Sequence, residues 1–144
     1  MTCIAWDGKT LAADKRAVNN GLTRTVTKIF KLSDGALFAG CGDFAFCLQM
    51  KEWAEQGCNL ETFPVAQKEK DDWQVCVIVD KTGLRLYERT PYPLRFEDKF
   101  YSCGSGRDFA HTAMHLGKSA REAVEIACLF DSGCGNGIDE LTLN

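Results

Sequence analysis

No stretch of this 144-residue chain approaches the ~18 consecutive apolar residues of a membrane-spanning helix. The start, Met1 to Gly8, also lacks a basic segment followed by a long apolar run. The expectation is a soluble, unexported, cytoplasmic protein with no membrane partner. Basic residues do not outnumber acidic ones: 17 Lys and Arg against 20 Asp and Glu leave a net charge of −3. Without a sequence-wide positive field to attract phosphate backbones, nucleic acid is not an expected partner. Cys-x-x-Cys and comparable zinc spacings are missing, and no Glu follows His111 as the zinc-protease signature requires. His111 and His115 read as surface or interface histidines, and no metal is expected. The glycine-rich Gly104 to Gly106 is not followed by Gly-Lys-Thr or Gly-Lys-Ser, which sets nucleotide binding aside.

What is present is ordinary globular material. Hydrophobic residues are 45% and charged residues 26% of the chain, so it can build a core. The length fits a single domain over residues 1–144, burying about 70% of the surface the unfolded chain exposes. Eight cysteines would suggest a disulfide framework in a secreted protein. Here Cys47, Cys76 and Cys128 sit inside apolar runs, and most of the eight read as buried thiols.

Short alternating segments open the chain: Thr2 to Trp6, Thr10 to Asp14 and Thr23 to Leu32, separated by the turn sequences Asp7-Gly8 and Asn19-Asn20-Gly21. Ala36 to Cys41 reads as another strand. Asp43 can then cap a helix reaching about Gln56 and closed by Gly57. The polar stretch Asn59 to Asp72, with its charge run from Lys68, reads as a solvated connection. Trp73 to Asp80 and Leu84 to Arg89 flank the hairpin loop Lys81 to Gly83, and Phe100 to Cys103 is a further strand. Arg107 to Leu116 and Ser119 to Phe130 carry helical spacing, and Ile138 to Leu143 can be a last strand. Strands and helices segregated in runs favour an α+β fold, with helices outside two packed sheets.

Thr2 directly follows the initiator methionine, which is normally trimmed before a small residue. Trimming leaves a hydroxyl and a free α-amine on one residue. With an unperturbed pKa of about 7.7–8.0, that amine can take the hydroxyl proton without a histidine. Taken alone, Met-Thr is merely a common start. Further along come Leu11-Ala-Ala-Asp14, Thr27-Lys28-Ile29-Phe30, Phe38-Ala-Gly40, Gly104-Ser105-Gly106, and Asp131 before a glycine-rich turn. In this order, and over nearly the whole chain, the sequence resembles the proteasome β-subunits and the bacterial ATP-dependent protease subunit HslV.

The resemblance implies a four-layer αββα sandwich of the N-terminal-nucleophile hydrolase type, two antiparallel sheets flanked by helices. It also implies a threonine endopeptidase in which Thr2 is the nucleophile, Asp14 anchors Lys28 beside the hydroxyl, and the N–H of Gly40 stabilises the oxyanion. Ser105 and Asp131 would hold the α-amine, and Ala17, Val26, Phe38 and Gly42 would line an uncharged pocket for the side chain before the scissile bond. No cofactor is implied. The partners implied are a homo-oligomeric ring, a peptide or unfolded-protein substrate, and a separate ATP-dependent unfoldase.

Considered singly, Asp14 suits a strand end, Lys28 an exposed strand position, Gly40 a turn of positive φ and Ser105 a helix cap. The chain departs from the family at Cys134, where a serine is usual, at Cys41, where a second glycine is usual, and in a shorter Asp14-to-Lys28 loop. Cys3 becomes penultimate once Met1 is lost, and alternation turns it to the face opposite Thr2. These departures leave two rival readings, a catalytically silent assembly subunit and a non-proteolytic amidohydrolase of the same type.

Overall fold

The computed structural model describes residues 1–65 and 75–144. The charge run Lys68 to Asp72, and the start of the strand expected from Trp73, lie outside the described residues. The first sheet has the order β10-β2-β1-β9, from β1 (Ile4–Trp6), β2 (Thr10–Asp14), β9 (Tyr101–Cys103) and β10 (Ile138–Thr142). The second has the order β5-β6-β7-β8, from β5 (Ile29–Lys31), β6 (Leu37–Cys41), β7 (Val75–Asp80) and β8 (Gly83–Tyr87). All pairings are antiparallel. A separate hairpin, β3 (Arg16–Asn19) with β4 (Leu22–Thr25), turns at Asn20 and Gly21, both at positive φ.

Side-chain alternation explains how the layers stack. Along β7, Val75, Val77 and Val79 join Ile4, Trp6, Leu11 and Ala13 in a core between the sheets, while Cys76 and Ile78 face the other way. There they meet Cys47, Met50 and Trp53 of helix α1 (Phe44–Glu55). On the far side, Ala5 and Ala12 pack against Ala110, Met114, Ala123 and Val124 of helices α2 (Arg107–His115) and α3 (Ala120–Phe130). The result is a helix–sheet–sheet–helix sandwich, with two helices on one face and α1 on the other among the described residues.

The helix starts follow their sequence signals. Asp43 Oδ1 accepts from the N–H of Ala45 at 3.0 Å, and Ser119 with Glu122 forms a reciprocal capping box. The expected strand Thr23 to Leu32 is a correction: β4 ends at Thr25 and β5 begins at Ile29. Between them the chain leaves the hairpin for the second sheet, with Val26 N–H donating to the carbonyl of Lys15 at 2.8 Å. The first strand likewise begins at Ile4 rather than Thr2, and β3 was not anticipated. Among the described residues no helix is long and apolar enough to cross a membrane.

Candidate active site

The site lies where β1 begins, β2 ends, β5 begins and β6 ends. Asp14 closes β2 completely buried, and its carboxylate accepts four hydrogen bonds. Oδ1 takes Lys28 Nζ at 2.8 Å and the N–H of Cys3 at 3.0 Å; Oδ2 takes the N–H groups of Gly135 at 3.1 Å and Arg16 at 3.2 Å. This nearly fills the lone-pair capacity of an ionised carboxylate. It ties the N-terminal segment, the 131–137 loop, β3 and Lys28 to one point.

Lys28 is 6% exposed, so it is not the exposed strand lysine its isolated position suggests. Its ammonium donates to Asp14, to Thr2 Oγ1 at 3.4 Å and to the Met1 carbonyl at 3.2 Å. A positive charge held at that distance favours the ionised form of the threonine hydroxyl. Thr2 is 7% exposed, while Met1 before it is 68% exposed and open to solvent.

The Gly104-Ser105-Gly106 turn is shaped by close approach. Gly104 has φ +91°, and a Cβ there would come within 2.0 Å of the Thr2 carbonyl oxygen. At Gly106 a Cβ would meet Cys3 Cβ at 2.9 Å and Ala127 Cβ at 3.1 Å. Between them Ser105 Oγ accepts the N–H of Thr2 at 3.3 Å. Ser105 is not a helix cap, because α2 starts from Gly106 with no side-chain cap bond.

Behind Ser105 the network continues to Asp131 at the end of α3. The Ser105 hydroxyl, followed by the N–H of Gly133, holds the Asp131 carboxyl below the usual carboxylate range. Cys134 Sγ donates to Asp131 Oδ2 at 3.3 Å and lies 3.8 Å from Ser105 Oγ. Burial, aided by the negative charge of Asp14, pushes the Cys134 thiol up to about 12, so it remains a neutral donor. Cys3 is buried toward α2 and α3, away from the Thr2 hydroxyl.

Gly40 is paired with Cys76, and the β5–β6 register, extended one residue past Ile29–Ala39, sets it opposite Lys28. It is glycine for a reason other than positive φ, since it is not among the positive-φ residues. A Cβ there would lie 2.6 Å from Cys47 Sγ and 2.9 Å from Cys47 Cβ, inside α1. Gly42 does have positive φ, at 112°, and is exposed. Ala17 and Val26 are half-buried. Phe38 is a correction: at 1% exposure it is closed in the core with Met50 and Trp53 and lines no open surface. His111 and His115 are exposed on α2. A cavity of about 450 Å³ between Lys31, Ala36, Asp80 and Leu143 lies at the opposite end of the second sheet from Lys28 and Gly40.

Arg16 is the residue that sequence reasoning missed. Its guanidinium donates to the Ser132 carbonyl at 2.6 Å and to Asn136 Oδ1 at 3.0 Å, clamping the loop that carries Cys134. A signal existed, because Arg16 lies two residues beyond Asp14, the spacing that returns a strand to the same face.

The sequence model of the proteasome subunit family matches residues 2–71. No curated protein sequence matches the chain. Among solved structures, HslV from Trypanosoma brucei is similar at 16% identity and a TM-score of 0.76, covering 100% of this chain and 99% of that one. BPH from Thiobacillus denitrificans in complex with epoxomicin is similar at 19% identity and a TM-score of 0.71, covering 100% of both chains.

Proposed function

We propose that this chain, whose residues 2–71 match the proteasome subunit model and whose fold is similar to HslV and BPH, is a threonine peptidase with Thr2 as nucleophile after loss of Met1. The observation that carries this is the buried Asp14–Lys28 pair, aimed at Thr2 Oγ1 while Thr2 N rests on Ser105.

Once Met1 is gone, the nitrogen that now donates to Ser105 becomes a free amine in the same place. The amine takes the Thr2 hydroxyl proton as Oγ1 adds to the substrate carbonyl, and the Lys28 ammonium stabilises the negative charge forming at Oγ1. The Gly40 N–H, opposite Lys28, supports the oxyanion. The amine passes its proton to the leaving nitrogen, an ester to Thr2 remains, and water attacks it with the amine again as base. Ser105, Asp131 and Cys134 orient the amine, and Arg16 positions their loop. These residues account for every proton in the cycle without a cofactor.

Ala17, Val26 and Gly42 present no charge to the side chain before the scissile bond, and burying a substrate charge against them is unfavourable. Apolar side chains are therefore preferred, with discrimination of only about 1–3 kcal/mol per methylene. Phe38 contributes only if it leaves the core. The substrate is an unfolded protein or peptide. Exposed Phe109, Leu116, Leu129 and Phe130 on α2, α3 and the turn between them supply apolar surface for assembly into a homo-oligomeric ring in the cytoplasm, served by a separate ATP-dependent unfoldase.

The test is a fluorogenic peptide panel on the assembled protein beside Thr2→Ala, with epoxomicin, which BPH from T. denitrificans binds, as competitor. Thr2-dependent, epoxomicin-sensitive cleavage after apolar residues is expected. A second reading, a silent assembly subunit, draws on the closed Phe38 and on Cys134 in place of the usual serine. It requires that no peptide be cleaved by the trimmed, assembled protein.

A further inference from the structure

Four of the eight cysteines gather at the end of β6, around Gly40. Strand alternation divides them by face. Cys47 and Cys76 lie toward α1 as free thiols, and a Cβ on Gly40 would fall 2.6 Å and 3.4 Å from their sulfurs. Cys41 and Cys103 face the core between the two sheets. Each of this second pair ends a strand, Cys41 directly after Gly40 and Cys103 directly before Gly104. Their sulfurs are 2.6 Å apart, inside the ~3.5–4.0 Å at which non-bonded heavy atoms rest and about 0.5 Å beyond a covalent S–S bond. The sequence separation is 62 residues, and no strand pairing joins β6 to β9.

We propose that Cys41 and Cys103 form a reversible disulfide across the sandwich, a redox-sensitive tie between the oxyanion strand and the Gly104 turn. The oxidant is a low-molecular-weight disulfide such as oxidised glutathione. One cysteine thiolate attacks a glutathione sulfur, releasing one reduced glutathione and leaving a mixed disulfide. The second thiolate displaces the other glutathione as the S–S bond closes, so two protein thiols are oxidised and one disulfide is reduced to two thiols. Both sulfurs are buried, so exchange proceeds through folding or opening rather than by attack from solvent.

Closure has two consequences. Tying residues this far apart in sequence restricts the unfolded chain and raises Tm by about 8–16 °C. It also ties the end of β6 to the end of β9, next to Gly40 and to a turn with no slack at Gly104. Because misplacement by an ångström can cost about 100-fold, peptide turnover falls, a consequence that rests on the peptidase reading.

The experiment refolds the full chain from urea in glutathione buffers of stepped oxidation. Free thiols are then blocked, and the protein is mapped without reduction, melted and assayed. A Cys41–Cys103 cross-linked peptide is expected, with two fewer free thiols, the higher Tm and slower turnover, all reversed by reductant. The bridge should persist in Cys76→Ala and vanish in both Cys41→Ala and Cys103→Ala. Bridges scattered among other cysteines, or a 41–103 bridge that does not raise Tm, overturn the tie. A bridge that raises Tm but leaves turnover unchanged overturns the switch. If the reduced protein cleaves nothing, the peptidase reading has failed, while mapping and melting still decide the thiol pair.

Discussion

Asp14 and Lys28 are charge partners, yet their surroundings predict unequal losses when either is removed. Asp14→Asn leaves the Lys28 ammonium buried without its counter-charge and turns an NH₂ toward donors that had an acceptor. Breaking a buried pair from one side costs about 3–5 kcal/mol, and a donor stripped of its acceptor adds about 1–3 kcal/mol. Because these losses overlap, a Tm drop of about 10–20 °C is expected for a chain of this size. Lys28→Met instead leaves the Asp14 carboxylate held by three backbone N–H groups, from Cys3, Arg16 and Gly135. Such donors stabilise the charged form. The cost is then about 1–3 kcal/mol, or a Tm drop of about 3–10 °C. Both variants should lose at least about 100-fold in peptide turnover. Thermal melts by circular dichroism, at one pH and one protomer concentration, decide the matter. A Lys28→Met drop equal to or larger than that of Asp14→Asn would refute the reading of Asp14 as the structural node.

Two further outcomes follow from the site. Gly104→Ala places a Cβ against the Thr2 carbonyl at a positive φ, so stability should fall by about 1–3 kcal/mol and turnover should collapse; a melt and a rate within error of the parent contradict the close-approach argument. The acidic limb of the rate profile should follow the α-amine, with one proton and a midpoint near 8. Asp131 contributes nothing to that limb, because its folded pKa is held below the ordinary carboxylate value. Its stabilising interaction is present above the unfolded carboxylate pKa of about 3.9 and is lost only as pH falls through the lower folded value. A second proton appearing between pH 5 and 6 in the rate profile would point to a different base.

The layers were legible because alternation and turn chemistry are local. Asp43, Gly57, Ser119 and Gly117 punctuate the helices much as expected, and the two-residue period of β7 alone separates the inter-sheet core from the α1 face. The Val26–Lys28 break was not legible. Its cause is the route from the β3–β4 hairpin to the second sheet, and the local sequence still reads as a strand. At the site, the family resemblance and not the residue types singly implied the grouping of Asp14, Lys28 and Thr2, and the fold places them within hydrogen-bond reach. The reasons for the glycines were hidden, because Gly40 and Gly104 answer to close contacts that only the folded chain creates, with Cys47 of α1 and with the Thr2 carbonyl. Phe38 was assigned to a pocket by analogy, whereas the packing of α1 against β6 closes it in.

The central claim is that the Thr2 amine is the base, and it is tested most directly by controlling Met1. One preparation retaining Met1 is divided, and half is treated with a methionine aminopeptidase; intact mass gives the trimmed fraction and a fluorogenic peptide gives the rate. Turnover should rise in proportion to the trimmed fraction and be absent from the untrimmed protein and from trimmed Thr2→Ala. Equal turnover by protein that keeps Met1 would contradict the account.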